Sequence, residues 1–125
     1  IDLTEAEWTL MEQLWAAPGL TGRALTEALH KQTGWARSTT LTLLRRLTEK
    51  GAVRTEVRDG MHVYFPAISR EHAAARQTRD LLGRVYHGSL SLLVSAMTRE
   101  ETLSKAEIDE LYAILDEMEA KQGDA

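Results

Sequence analysis

The chain has 125 residues, no cysteine and a formal net charge of −4. This length allows one domain, or a small domain with a dimerisation appendage, and the lack of cysteine excludes disulfides, thiolate metal sites and cysteine nucleophiles. The sequence has neither a run of 18 apolar residues nor a basic, signal-like start, so we expect a protein of the reducing cytoplasm.

Charge is unevenly distributed along the chain. Residues 20–66 hold eight basic and four acidic residues, a net charge of +4, whereas residues 100–125 hold two basic and nine acidic residues, a net charge of −7. Because nucleic-acid-binding surfaces are usually basic, the middle segment is the candidate for such a surface despite the acidic total.

Three short helices are predicted in the first 50 residues. Thr4-Glu5-Ala6-Glu7 is a capping box that begins the first helix. Thr21 can cap a second helix, and Gly34 breaks the chain after it. A third helix is predicted from about residue 36 to residue 50, with Gly51 at the position that favours a left-handed C-cap.

A β-hairpin is predicted directly after the third helix. Residues 52–58 alternate in polarity, Asp59-Gly60 is a strong hairpin turn, and residues 61–65 return as a second strand that Pro66 stops. An isolated hairpin is marginally stable, so it must pack on the helices. The predicted fold class is therefore mainly α with a small β-hairpin, in the order of a winged helix-turn-helix.

The second half of the chain is predicted to be helical. Ser69 can cap a long helix, Gly88-Ser89 can kink or break it, and Ser104-Lys105-Ala106-Glu107 is a further capping box for a last helix that Gly123 ends. We expect a winged-helix DNA-binding domain over residues 1–68 and a helical dimerisation domain over residues 69–125.

The C-terminal helices carry apolar stripes but too little chain for a core of their own. The stripes need either the winged-helix domain of the same chain or the same helices of a second chain. We favour the second chain, because twofold dimers are the commonest oligomers and operator-binding proteins use that symmetry. The candidate dimerisation residues are Leu82, Val85, Tyr86, Leu90, Leu93, Val94, Met97, Ile108, Leu111, Tyr112, Leu115 and Met118.

The third helix has a polar face suited to DNA. Its predicted buried face is Thr40, Leu43, Leu44 and Leu47, at helical spacing. Arginine suits guanine edges and phosphates, threonine suits base edges, and a leucine can pack on a thymine methyl. A solvated polar face is the alternative, but the helix–helix–helix–hairpin order favours DNA. The candidate contacts are Arg37, Ser38, Thr39, Leu41, Thr42, Arg45 and Arg46.

The hairpin is the candidate wing. Arg54, Arg58 and His62 could contact phosphate or the minor groove, and a solvated turn is an equally good interpretation of the same residues. Tyr64 is interpreted as a packing residue whose hydroxyl is free to contact a phosphate.

With these elements placed, the sequence resembles the BlaI/MecI-type penicillinase repressor family, which also includes CopY-type regulators. The resemblance covers nearly the whole chain in order. The matching segments are residues 3–8 with 14–15, 32–35, 43–47 with 50–51, 64–66, 88–94 and 103–111.

The resemblance implies a cytoplasmic dimeric repressor that binds a palindromic operator in double-stranded DNA ahead of resistance genes. It implies inactivation when a membrane sensor metalloprotease, or its product, triggers cleavage in the dimerisation region, at a site that maps to Ala96 and Met97. The family typically has Asn where this chain has Ala96. Copper-responsive members sense through Cys pairs, which this chain lacks.

Other classes of function fit the sequence less well. An enzyme is not expected, because no Ser/His/Asp or Cys/His arrangement and no phosphate-cradling glycine loop is found. The four histidines lie on different elements, so neither a metal site nor a cofactor is expected. A winged helix that binds a protein instead of DNA remains an alternative, with Leu41 as its interface anchor.

Overall fold

The computed structural model describes residues 1–100 and 103–123, with only the backbone of Glu100. The chain divides into two compact units, residues 1–80 and the residues from 81 onward. The elements in chain order are α1 (Glu5–Ala16), β1 (Leu20–Thr21), α2 (Gly22–Thr33), α3 (Arg37–Lys50), β2 (Val53–Arg58), β3 (Met61–Pro66), α4 (Arg70–Tyr86), α5 (Leu90–Glu100) and α6 (Lys105–Gly123).

The predicted starts of α1 and α2 are confirmed by their capping hydrogen bonds. The Glu7 amide donates to the Thr4 hydroxyl at 3.2 Å and the Thr4 amide donates to the Glu7 carboxylate at 2.9 Å, which completes the capping box. The Thr21 hydroxyl accepts from the Ala24 amide at 3.1 Å. Gly51 ends α3 in the left-handed conformation, with φ of 83°.

One hydrophobic core lies where α1, α2, α3 and the start of β2 meet. The predicted inner face of α3 is confirmed, since Thr40 and its three leucines are all buried. Burial of these apolar side chains is the main force that holds the first unit together. The core residues are Leu10, Met11, Leu14, Leu25, Leu29, Leu43, Leu44, Leu47, Ala52 and Val53.

The predicted hairpin is part of a three-stranded antiparallel sheet in the order β1-β3-β2. Its turn has positive φ at Asp59 (52°) and Gly60 (75°), as the Asp-Gly signal indicates. The strand β1, which pairs Leu20 with Tyr64, was not predicted, because two residues are too short to show alternation. Pro66 is the last residue of β3.

A hydrogen bond and an ion pair join α1 to the start of α4 and the residues just before it. The Trp15 indole donates to the Ile68 carbonyl at 2.9 Å, and Arg70 pairs with Glu12 at 2.6 Å. Through these contacts the first turns of α4 belong to the first unit. This unit therefore ends at residue 80, beyond the last strand of the winged helix.

The second unit consists of helices in the part that the structure describes. His87 and Gly88 have positive φ, 52° and 79°, so α4 and α5 are separate helices at the predicted break. The Glu107 amide donates to the Ser104 hydroxyl at 3.1 Å and so caps α6. No residue between 81 and 123 that the structure describes is buried. Among the described helices, none is both long and apolar enough to cross a membrane.

Thr40 is an unusual member of the α3 inner face, and it gives a first prediction. Its side chain is fully buried, and its hydroxyl has no hydrogen-bond partner in the described chain. Valine has nearly the same shape without the polar atom, so Thr40→Val is expected to stabilise the first unit by about 1 kcal/mol. Urea unfolding followed by tryptophan fluorescence measures this, and a loss of stability would show that the hydroxyl has a partner.

Candidate nucleic-acid interface

The outer face of α3 is open to solvent. Six of its seven candidate DNA contacts are exposed and Thr42 is half-buried. Leu41 is 38% exposed, which is unusual for a leucine on a helix whose opposite side is fully packed. The structure therefore brings all seven α3 candidates onto one accessible surface.

Three arginines on this surface form no ion pair with any residue that the structure describes. No carboxylate of the described residues lies within 4.0 Å of the guanidinium nitrogens of Arg37, Arg45 or Arg46. Each can therefore bind a phosphate or a base edge without first breaking an ion pair to a described residue.

Lys50, the fourth cation of α3, is used internally. Its ammonium donates to Glu7 at 2.6 Å and to the Asp2 carbonyl at 3.0 Å. Glu7 is 1% exposed, and the same carboxylate oxygen also accepts from the Thr4 amide. The glutamate of the α1 capping box therefore also binds the end of α3. Sequence reasoning missed this role because 43 positions separate Glu7 from Lys50.

The ionisation of Glu7 follows from this arrangement. Burial raises the pKa of its carboxyl group, but hydrogen bonds from Lys50 and Thr4 together outweigh burial and hold the pKa below the usual 4.5. Glu7 is therefore ionised at pH 7 although it is buried, and Lys50 is one of the groups that favour its charged form.

An open groove of about 810 Å³ lies between α2 and the start of α3. Sequence reasoning did not select its α2 cations, Arg23 and Lys31, although their charge was visible in the basic middle segment. Arg23 pairs with Glu27 at 3.2 Å, which leaves Lys31 and Arg37 as the cations of the groove without an ion pair among the described residues. The lining residues are Arg23, Thr26, Glu27, His30, Lys31, Ala36 and Arg37.

The four wing candidates lie on two faces of the sheet. Arg54 is opposite Phe65 in the β2–β3 register, and the guanidinium groups of Arg54 and Arg58 lie 4.4 and 4.9 Å from the centre of the Phe65 ring. Because neighbouring residues of a strand point to opposite faces, His62 and Tyr64 lie on the other face. Tyr64 packs against the core and His62 is exposed.

Glu56 lies between the two wing arginines. One carboxylate oxygen accepts from Arg54, and the other accepts from Nε and Nη2 of Arg58 at 3.1 and 2.9 Å. The hydrogen bond from Arg54 is the main cause that holds the pKa of Glu56 below 4.5, and Arg58 contributes in the same direction. Both wing arginines thus differ from Arg37, Arg45 and Arg46 in having an ion-pair partner among the described residues.

The candidate dimerisation residues form exposed apolar faces in the second unit. Nine of the twelve are exposed, and Leu82, Tyr86 and Leu93 are half-buried. Sequence reasoning missed three further exposed apolar side chains of this unit, Leu81, Leu92 and Ile114. The signal for Ile114 was present, since it lies beside the stripe of α6.

The residues of the inferred cleavage site lie within α5. Ala96 is half-buried and Met97 is 46% exposed. Both have helical backbone, whereas a protease requires its substrate in extended form.

Three or more His, Asp or Glu side chains do not come together as a metal site anywhere in the described ranges 1–100 and 103–123. The site is therefore defined by cations, hydroxyls and one leucine on α3, with α2 and the wing beside it.

A three-helix core, a three-stranded sheet with a hairpin, and an outward-facing third helix together define a winged helix-turn-helix protein. The sequence profile of the penicillinase repressor family matches residues 3–117. The chain belongs to this family, which is a family of transcriptional repressors and not a class of enzymes.

Individual relatives agree with this assignment. The chain is 30% identical to the penicillinase repressor of Bacillus licheniformis, over 92% of this chain and 90% of that protein. It is 26% identical to the methicillin resistance regulatory protein MecI of Staphylococcus aureus, over 91% and 93% of the two chains. The fold is similar to that of monomeric B. licheniformis BlaI in complex with the blaP half-operator, with a TM-score of 0.52, 27% identity and coverage of 57% and 87%.

Proposed function

We propose that this chain is a homodimeric transcriptional repressor that binds a dyad-symmetric operator in double-stranded DNA through α3 of each protomer. The observation that carries the proposal is the set of three exposed arginines, without an ion pair among the described residues, on a helix whose other face is fixed in the core. The similarity to a repressor solved with its half-operator supports it.

Affinity and sequence choice come from different parts of this surface. Cations of α3 and of the α2 groove neutralise phosphates and release counterions, so binding weakens as salt rises. Thr42, Leu41, Arg37 and Arg45 select the base sequence, with about 1–3 kcal/mol for each good bidentate contact. One winged helix offers little contact area, and linking two copies raises the affinity for a palindrome through effective concentration.

The second unit supplies the link between the two copies. Its described residues include none that is buried, while its helices expose leucine, valine, isoleucine and methionine at helical spacing. Such faces are stable in water when another surface covers them. A second copy of the same unit covers all of them at once in a twofold arrangement.

The names of two relatives support a role in antibiotic resistance, and we propose that the protein acts in the cytoplasm. Penicillinase repressor and methicillin resistance regulatory protein are the names of two of them. Repression would end when the second unit is cut or loosened, through a membrane sensor protease or its product. Cleavage between Ala96 and Met97 requires α5 to unwind first, because both residues are helical. The proposed function contains no catalytic step and no metal.

The experiment that tests the proposal is genomic footprinting of the bound protein, followed by gel-shift assays of the recovered sites at rising salt. We expect palindromic sites and a specific complex at moderate ionic strength. Failure to retain any DNA, together with a stable complex with another protein, would instead favour a protein-interaction module anchored by Leu41.

Two substitutions separate phosphate contact from base reading. Arg46→Ala is expected to weaken binding to all duplexes by about threefold to tenfold and to lower the slope of log K against log salt by about 0.9. Thr42→Ala is expected to change the preferred sequence with little change in that slope. Competition binding with a randomised duplex library measures both effects, and Arg79→Ala in α4 controls for loss of one charge. If both α3 variants bind like the control, α3 does not contact DNA.

A further inference from the structure

The wing has two arginines but no net charge. Residues 53–66 contain Arg54 and Arg58 against Glu56 and Asp59, whereas α3 carries a net charge of +3. The carboxylate of Glu56 engages both wing arginines, one with each oxygen. Counting basic residues therefore overstates the charge that the wing presents.

On Arg58, Glu56 occupies donors that a phosphate would use, and on Arg54 it occupies one Nη1 donor. It accepts from Nε and Nη2 of Arg58 together, and this edge of a guanidinium forms paired hydrogen bonds with carboxylate or phosphate. The Phe65 ring lies against both guanidinium groups and restricts their orientation. The arrangement holds each arginine on Glu56 by two kinds of contact.

We propose that Glu56 competes with the DNA backbone for Arg54 and Arg58 and so limits the contribution of the wing to binding. This inference rests on the proposed function and identifies a residue that sets its affinity. A phosphate that approaches the wing must displace the carboxylate, and it is repelled by the same carboxylate if Glu56 stays in place. Wild-type protein therefore releases fewer counterions than its basic residues predict.

The test compares Glu56→Gln with Asp59→Asn. Both substitutions remove one negative charge from the same hairpin, but Asp59 forms no ion pair with a described residue. Asparagine also tolerates the positive φ of 52° at this position. The probe is a labelled duplex of mixed sequence, long enough for one dimer, and binding is measured by fluorescence anisotropy over a series of NaCl concentrations.

We expect Glu56→Gln to bind about threefold to tenfold more tightly than Asp59→Asn, the range for releasing two exposed ion pairs. Its slope of log K against log salt should be steeper by about 0.9 for each arginine released. In a second comparison, Arg54→Gln and Arg58→Gln are introduced into the wild-type protein and into the Glu56→Gln variant. The loss of affinity should be larger in the Glu56→Gln background, where both arginines are free.

The outcomes are distinct. Duplex binding that is intact but equal in Glu56→Gln and Asp59→Asn, or weaker in Glu56→Gln than in wild type, overturns the inference and leaves the proposed function standing. If wild type and both variants bind neither this duplex nor a footprinted operator at any salt concentration, the proposed function fails, and the role of Glu56 fails with it.

Discussion

Leu115→Asp is expected to convert the protein from a dimer into a monomer and to lower its affinity for a palindromic operator by about 100-fold or more. Leu115 lies in the apolar stripe of α6 and is 50% exposed. A carboxylate there would have to be desolvated between the two copies, which costs several kcal/mol. Without the link, each winged helix binds its half-site alone and the gain from effective concentration is lost.

Ala113→Asp is the matched control, since it adds the same carboxylate to the opposite side of α6, at an exposed position. Size-exclusion chromatography with light scattering gives the mass, and gel-shift assays on the footprinted operator give the affinity. We expect the mass of Leu115→Asp to be half that of Ala113→Asp. A dimeric Leu115→Asp would exclude the α6 stripe from the interface between the copies.

Lys50→Met is expected to destabilise the first unit by about 3 kcal/mol at pH 7. Removing one partner of an ion pair leaves the other without compensation, and the cost is large when the remaining charge is buried. Glu7 is 1% exposed, and its second carboxylate oxygen already has no partner among the described residues. The value lies at the low end of the usual range because the Lys50 side chain is 38% exposed.

The destabilisation should shrink as the pH falls. In wild type the pKa of Glu7 lies below its unfolded value, so the ionised carboxylate stabilises the fold above about pH 4.5, and this stabilisation is lost as the pH falls through the folded-state pKa. In Lys50→Met, burial is no longer opposed by the ammonium, so the pKa of Glu7 rises. Protonation of Glu7 at low pH therefore reduces the destabilisation of Lys50→Met, while in wild type it removes a stabilising charge.

Urea unfolding at pH 7 and pH 4, at one protein concentration, measures this difference. Trp8, Trp15 and Trp35 all lie in the first unit, so their fluorescence reports its unfolding. Arg23→Met is the control, because it breaks the exposed pair with Glu27 and should cost about 0.5 kcal/mol or less. A difference between Lys50→Met and wild type that is the same at both pH values would contradict the role of Glu7.

The sequence predicts the elements that depend on neighbours along the chain. The two faces of α3 follow from helical spacing, and the caps at Thr4 and Thr21 follow from residue type, because each depends on contacts within a few positions. The hairpin turn follows from Asp59-Gly60, since positive φ favours these residues.

The features that the sequence does not predict depend on contacts distant in the chain or on the competition of one side chain for several partners. The pairing of β1 with β3 joins residues more than 40 positions apart and leaves no periodic signal. The Glu7–Lys50 pair is distant in the same way. For Arg54 and Arg58 the residue types predict a phosphate contact, and strand alternation puts Glu56 on their face, but only the structure shows that its carboxylate binds both.

None of the described residues of the second unit is buried. The release of repression should therefore depend on how much of the protein is present. When a unit gains its core by assembly, folding and association are one equilibrium, and its stability depends on protomer concentration. At low abundance the number of operator-competent dimers then varies with the square of the number of intact chains. Loss of half of the chains would leave about a quarter of the dimers, so a modest inducing signal would give a steeper than proportional release of the controlled genes.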